Sequence, residues 1–286
     1  LFPALAASFC TAALLYPLEL LNALKMAGVG GGTSVLSTRE LIAHFKEAHG
    51  VLGFFLQGLV PHVARSTLMN FVAFALFPPL HQLMFRRGAD SGNGLTRALV
   101  GSIVTIPEVV SIMPLEIAKL ALQLDDAHRY GNSMLAVLRS LYSRYGLRLF
   151  GVGYIATQYK HATWTGLYFA TLPYFERLVG FLLFPLRSRV DAVMDGLGSM
   201  LAGFLAGAVG ALANRPGDTL RTIIQKRCFA SPDLIGGGGL RGNLKVLRDV
   251  LDGPLGWRGL YAGIGIKTVS MGAAGALMAL FIPFFE

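Results

Sequence analysis

One pattern constrains the whole chain: a proline, an acid two positions on and a base three beyond that, recurring at a period near one hundred residues. The stretches YPLELLNALKM, MPLEIAKLALQ and RPGDTLRTIIQ place Pro17 with Glu19, Pro114 with Glu116 and Pro216 with Asp218. The third member is Asn22, Lys119 and Arg221, so the first copy is complete except for an amide where a base would stand. Four positions further on are Met26, Gln123 and Gln225. Chance supplies about 0.06 full matches in a chain of this composition, and the sequence has two, which marks a repeat architecture. A second mark recurs at one fixed interval, as Gly58 with Pro78, Gly153 with Pro173 and Gly263 with Pro283. The 286 residues read as one domain of three units, 1–90, 91–188 and 189–286.

Each unit carries two long apolar stretches, at roughly 1–24 and 58–85, 96–122 and 152–184, and 194–225 and 259–285. About 20 apolar residues cross a bilayer as a helix. The runs are continuous and lack the period of two that a barrel wall requires, so helices are expected. Only 14% of residues are charged and 53% are hydrophobic, against ~25% charged in a typical globular chain. So few polar residues cannot clothe a water-facing surface of this size. Polar segments with helical spacing, STRELIAHFKEAHG, SMLAVLRSLYSRYG and NLKVLRDVLDG, follow the odd-numbered spans, each amphipathic enough to lie on a membrane surface. The connections RRGADSGNG and LRSRVDAVMDG carry no such helix. The reading is an all-α membrane protein with six transmembrane helices in three pseudo-symmetric pairs and three short amphipathic surface helices.

Several functions are excluded by what the residues lack. The net charge of +9 would suggest nucleic acid in a soluble domain, but in a membrane chain it reads as cationic loops on one side of the bilayer, with no nucleic-acid partner. Cys10 and Cys228 form no metal-like spacing and no disulfide framework, so neither a metal nor a cofactor is expected. The Gly-rich runs GVGGGT and GGGG follow no strand and lack a P-loop lysine, and no nucleophile–base–acid set is visible, so the chain does not read as an enzyme. The sequence opens on Leu1, which leaves open an upstream targeting segment.

The triple motif, the paired spans and GWRGLYAG before the sixth span resemble the mitochondrial carrier family, the solute carriers of the mitochondrial inner membrane, over essentially the whole chain. The resemblance implies a multi-pass protein of that membrane, a six-helix barrel around a central cavity. The surface helices would lie on the matrix side and both termini toward the intermembrane space. Prolines inside the odd spans, Pro17, Pro114 and Pro216, would kink those helices so that they converge and close one end of the cavity. By resemblance, Glu19 would face Lys119, Glu116 would face Arg221 and Asp218 would face Asn22, forming a matrix gate braced by Gln123 and Gln225. With Asn22 in place of a base and Met26 in place of a bracing glutamine, two salt bridges are expected where the family pattern has three.

The charges also say which way the helices face. Each ionised group at the bilayer centre costs ~2.5–3.5 kcal/mol, so the five gate charges with Arg65, Lys160 and Lys267 would cost roughly 24 kcal/mol in lipid. That exceeds the ~5–15 kcal/mol holding a typical fold. These groups must point inward, toward partners or water. Arg65, Lys160 and Lys267 lie one in each even-numbered span, with only Glu108 as an acid at their level. Three cations converging on a wet, low-dielectric cavity make a site for an anion, although any one of them could instead snorkel or pair with a carbonyl.

By resemblance, Arg65 falls at the substrate-contact position of the second helix. In the fourth helix the contact pair is Lys160-His161, or Tyr159-Lys160 in a shifted count, and His161 could equally be a satisfied polar residue. A base followed by histidine is similar to carriers of keto acids and di- or tricarboxylates. In the sixth helix the position falls on Ser270 or Met271, with Lys267 about one turn away. The expected partners are a small anionic metabolite and membrane lipids, cardiolipin among them.

One family motif is broken. Where even helices would end in aromatic-acid-x-x-base, the chain has FPPLH, LPYFE and IPFFE, so proline replaces each acid and His81, Glu176 and Glu286 replace the bases. No acid–base lock can form there. Closure at that end falls to aromatics such as Phe77, Tyr174, Phe281 and Phe284, or alternating access has been lost. The second option gives the alternative reading: a transport-silent, carrier-fold subunit with a structural or lipid-organising role among the protein subunits of a larger inner-membrane complex.

Overall fold

The computed structural model describes residues 2–29, 37–86, 94–125, 129–183, 191–230 and 239–285. Within them the chain is helical and contains no strand. The long helices are α1 (Phe2–Val29), α3 (Leu59–Phe85), α4 (Gly94–Gln123), α6 (Tyr154–Leu183), α7 (Asp191–Ala230) and α10 (Ile264–Phe285). Shorter ones are α2 (Thr38–Leu56), α5 (Met134–Tyr145), α8 (Leu240–Leu251) and the single turn α9 (Trp257–Leu260), with a 3-10 segment over Gly146–Gly151. The repeat bounds at 90/91 and 188/189, most of GVGGGT, most of the GGGG run and Glu286 lie outside the described residues.

The short amphipathic helices start where local chemistry can satisfy their free N–H groups. At α2, the Ser37 hydroxyl accepts from the Glu40 N–H at 3.3 Å and the Glu40 carboxylate accepts from the Ser37 N–H at 2.6 Å, a reciprocal capping box. Hydrogen bonds to it from the Ser37 backbone N–H and hydroxyl hold the Glu40 carboxyl below its ordinary value. At α5 the Ser133 hydroxyl caps the Ala136 N–H at 3.3 Å. Past the predicted stretch, α2 breaks at Gly50 (φ 70°) and runs on into an apolar end of Val51, Leu52, Phe55 and Leu56, all exposed.

Left-handed glycines recur in pairs, one before and one at the start of each even-numbered long helix: Gly50 and Gly58, Gly146 and Gly153, Gly256 and Gly263. Any other residue at those φ values would be strained.

The long helices close on themselves. α1 packs on α3, α3 on α4, α4 on α6, α6 on α7, α7 on α10, and α10 returns to α1, while α1, α4 and α7 also touch one another. Apolar clusters tie each short amphipathic helix to the structure: Phe45 of α2 under Tyr16, Leu20 and Leu21 of α1; Val137 and Leu141 of α5 under Val109, Met113 and Ile117 of α4; Val246 and Val250 of α8 under Ile223, Ile224 and Cys228 of α7.

Polarity runs opposite to that of a water-soluble globule. Leu14, Phe71, Leu83, Leu95, Val110, Phe181, Leu201 and Val269 are exposed, whereas Glu116, Asp218, Arg215, Gln123 and Gln225 are at most 1% exposed. Exposed apolar area spread over all the long helices marks a surface covered by something other than water. Among the described residues, α3 and α4 are long and apolar enough to cross a membrane by length and composition.

Candidate functional site

The motif prolines stand inside α1, α4 and α7, and the acids and bases after them meet in one buried layer. The approach is tight because the even helices begin on bare glycine. A Cβ on Gly58 would lie 3.3 Å from Gln123 Cγ and 3.4 Å from the Lys119 carbonyl; one on Gly153 would lie 3.5 Å from Arg221 Cγ and Gln225 Cγ; one on Gly263 would lie 3.3 Å from Asn22 Oδ1. Gly58 thus abuts α4, Gly153 abuts α7 and Gly263 abuts α1.

Between odd helices, Glu19 lies 3.7 Å from Lys119, and Arg221 donates to Glu116. Asp218 and Asn22 share no hydrogen bond. The Asp218 oxygens are already taken: Arg221 donates to one at 3.0 Å, Lys160 lies 3.1 Å away, Arg215 3.6 Å and Lys267 3.8 Å. Asn22 is 1% exposed and its Oδ1 finds no hydrogen-bond partner. Gln123 donates to the Tyr16 hydroxyl at 3.3 Å, Gln225 donates to the Val152 carbonyl at 3.4 Å, and the Thr222 hydroxyl reaches Met26 Sδ at 3.8 Å.

The even-helix cations join the same layer. Arg65 lies 3.5 Å from Glu116 and Lys160 3.7 Å from it, while Lys267 lies 3.6 Å from Glu19, which also accepts from the Ser270 hydroxyl at 3.0 Å. His161 points elsewhere: its Nδ1 is 2.7 Å from Glu108 of α4. The structure thus brings Arg65, Lys160 and Lys267 onto the motif acids and sets His161 beside them in a pair of its own. Six cations (Arg65, Lys119, Lys160, Arg215, Arg221, Lys267) face four carboxylates (Glu19, Glu108, Glu116, Asp218). With a neutral imidazole this cluster, among the described residues, carries two positive charges more than it balances. Such a surplus, held away from water, can be cancelled by an anion.

Three residues matter here that the sequence reading did not assign. Arg215 is fully buried; it donates to the Ala262 carbonyl just before Gly263 and pairs with Asp218. Tyr16, at the equivalent place before Pro17, donates to the Gln57 carbonyl just before Gly58. Met113 holds that place in the second unit and has no polar hydrogen, and there Gln225 serves the matching Val152 carbonyl instead. Aligning the residues before the three motif prolines would have picked out this position. Glu108, noted in the sequence as the only acid at its level, is the partner of His161.

At the opposite end, His81 is buried between Phe77 (ring centroids 6.1 Å) and Phe85 (5.4 Å), and Phe77 stacks on Phe169 at 5.5 Å. Tyr174, expected in that packing, is instead 69% exposed. The side chains of Phe281 and Phe284 fall outside the described residues.

Comparison with known proteins agrees with this geometry. The profile of the family described as "Mitochondrial carrier protein" matches residues 91–181, nearly the whole second unit. Longer matches reach curated relatives. The chain is 24% identical over 272 residues to a probable mitochondrial 2-oxodicarboxylate carrier of Dictyostelium discoideum, covering 94% of this chain and 84% of the relative. It is 24% identical over 245 residues to the mitochondrial 2-oxodicarboxylate carrier of Mus musculus, covering 81% and 74%. To that of Rattus norvegicus it is 26% identical over 253 residues, covering 86% and 79%. A cyclic, all-helical ring with buried motif charges, a family profile over residues 91–181 and relatives matched across 81–94% of the chain point the same way: the chain is similar to the mitochondrial carrier family, the solute carriers of the mitochondrial inner membrane.

Proposed function

We propose that the chain moves a small dianion across the inner membrane by alternating access, with dicarboxylates and 2-oxo dicarboxylates ahead of tricarboxylates. One observation carries the proposal: among the described residues, the motif layer and the adjoining Glu108–His161 pair hold six cations against four carboxylates, a surplus of two that a dianion cancels. The names of the matched relatives belong to the same chemical class. In this reading all six long helices cross the bilayer, in units 1–90, 91–188 and 189–286, and the charged layer is the closed matrix gate.

Gating follows from shared cations. Arg65, Lys160 and Lys267 each sit within 4 Å of a motif acid. A substrate carboxylate that takes those cations displaces Glu116, Asp218 and Glu19 from them. Binding therefore loosens the contacts that hold the gate shut, and the anion favours the open state by the difference in its affinity for the two. Arg65, Lys160 and Lys267 hold the substrate, with His161 beside them. Pro17, Pro114 and Pro216 supply the bends, and Gln123 and Gln225 brace the closed form. The reported relatives are all named as carriers, which leaves the transport-silent subunit without support.

Reconstitution in liposomes with labelled 2-oxoglutarate tests the proposal. Saturable uptake that falls about tenfold or more in Arg65→Ala, a loss of ~1.4 kcal/mol or more in binding, supports it. No uptake of 2-oxoglutarate, succinate or citrate by the native protein, or equal flux in native and variant, overturns it.

A further inference from the structure

Glu108 and His161 face each other across α4 and α6, 5% and 7% exposed, with Nδ1 and the carboxylate 2.7 Å apart. Neither is part of the motif layer. A carboxylate this deep needs a partner, and His161 is the one the structure gives it among the described residues. The contact fixes the imidazole: Nδ1 holds its proton toward Glu108, and Nε2, buried and without a hydrogen-bond partner, is left as the site for the next proton. Glu108 and Glu116 of α4 and Lys160 of its own helix are the charged groups facing the ring. From α7, Asp218 lies 3.1 Å from Lys160 with Arg221 beside it, and α8 meets α6 through apolar Ala156.

We infer that the Glu108–His161 pair sets the charge of the anion the carrier accepts, with a proton on His161 Nε2 converting a cavity matched to a dianion into one matched to a trianion. The inference rests on the carrier reading above. With His161 neutral the interior surplus is two positive charges. Protonation at Nε2 makes it three while the carboxylate stays ionised, so a tricarboxylate travels with one proton taken from the water on the side it leaves. Nothing is oxidised and no covalent bond to the substrate forms. The dianion needs no proton.

Two substitutions fix the two states. Glu108→Gln removes one negative charge and sets the surplus at three already with His161 neutral; His161→Gln cannot take the extra proton and leaves it at two. In proteoliposomes with labelled citrate and 2-oxoglutarate as probes, at pH 7.5, Glu108→Gln should raise the citrate-to-2-oxoglutarate uptake ratio by about tenfold, the effect of ~1.4 kcal/mol. Lowering the pH to 6 should raise that ratio in the native protein but not in His161→Gln, which also controls for protonation of citrate itself. Citrate uptake by the native protein should alkalinise the outer medium, read with a pH dye, and 2-oxoglutarate uptake should not. Thermal unfolding in detergent checks that both variants fold, and the native pH profile and dye signal need no variant.

Uptake with ratios unchanged in both variants, or a native ratio and dye signal indifferent to pH, overturns the role of the pair and leaves the carrier reading standing. Absence of any uptake by the native protein overturns both.

Discussion

At the corner where α1 meets α4, Glu19 faces Lys119 at 3.7 Å and Gln123 donates to Tyr16. At the corner where α7 meets α1, the same motif positions hold Asp218, Asn22 and Met26, and neither an ion pair nor an amide hydrogen bond joins them. The second corner is nonetheless the more crowded with charge. Arg215, which has no cationic counterpart in the other units, enters from the residue before the motif proline and reaches both Asp218 and the Ala262 carbonyl. A base missing on one helix is thus made up by a base on another element, and the compensation ties α7 to the start of α10 within its own unit rather than to α1. The left-handed glycines before the even-numbered long helices recur all three times, while the bonding at the third corner has changed hands.

The sharpest way to break the contrast is at the intact side. Glu116 is approached by Arg221, Arg65 and Lys160, so Glu116→Gln strands buried cations and should cost about 3–5 kcal/mol, read as a large drop in the unfolding temperature in detergent. At the altered corner Arg215→Met should cost less, about 1–3 kcal/mol, because it leaves the Ala262 carbonyl unsatisfied while Asp218 keeps other cations.

Restoring the family base by Asn22→Lys should destabilise by about 1 kcal/mol rather than stabilise, since it adds another cation beside a carboxylate already held by Arg221, Lys160, Arg215 and Lys267. Combined with Arg215→Met it should cost less than the sum of the single changes, a coupling of about 0.5–3 kcal/mol in a double-mutant cycle. Strict additivity would mean that Arg215 does not occupy the place of the missing base.

Glycine substitutions extend the comparison. Gly153→Ala and Gly263→Ala suffer the same left-handed backbone, but a Cβ at Gly263 would come 2.7 Å from Arg215, whereas at Gly153 the nearest atom is 3.5 Å away. Gly263→Ala should therefore be worse, by about 1 kcal/mol of displaced charge-assisted bonding. Smallest of all, Met26→Gln should gain about 0.5–1 kcal/mol by offering the Thr222 hydroxyl an amide oxygen in place of a thioether.

Much of the helical layout was legible because it depends on local signals. The segments read as amphipathic became α2, α5 and α8, shifted by a few residues where Gly50 interrupts α2 without ending it. The glycines at 58, 153 and 263 proved to be left-handed helix starts, set against the motif residues of the next unit. The partners of Asp218 were not legible, because Arg215, Lys160 and Lys267 approach from three helices and their reach depends on how those helices are rotated. Phe77 choosing Phe169 over Tyr174, and His161 choosing Glu108, have the same cause. Side-chain direction around a ring is invisible to spacing along one chain.

Composition and period alone required an apolar exterior, charged residues turned inward, and units repeating about every hundred residues, because each of those follows from what a single helix can bury or leave in contact with lipid. That Lys160, Lys267 and Arg215 share Asp218, and that a residue outside the motif stands in for the missing base, came only from the packed helices. Ion-pair distances of three to four ångströms between residues a hundred positions apart are set by the approach and rotation of whole helices, and no local pattern encodes them.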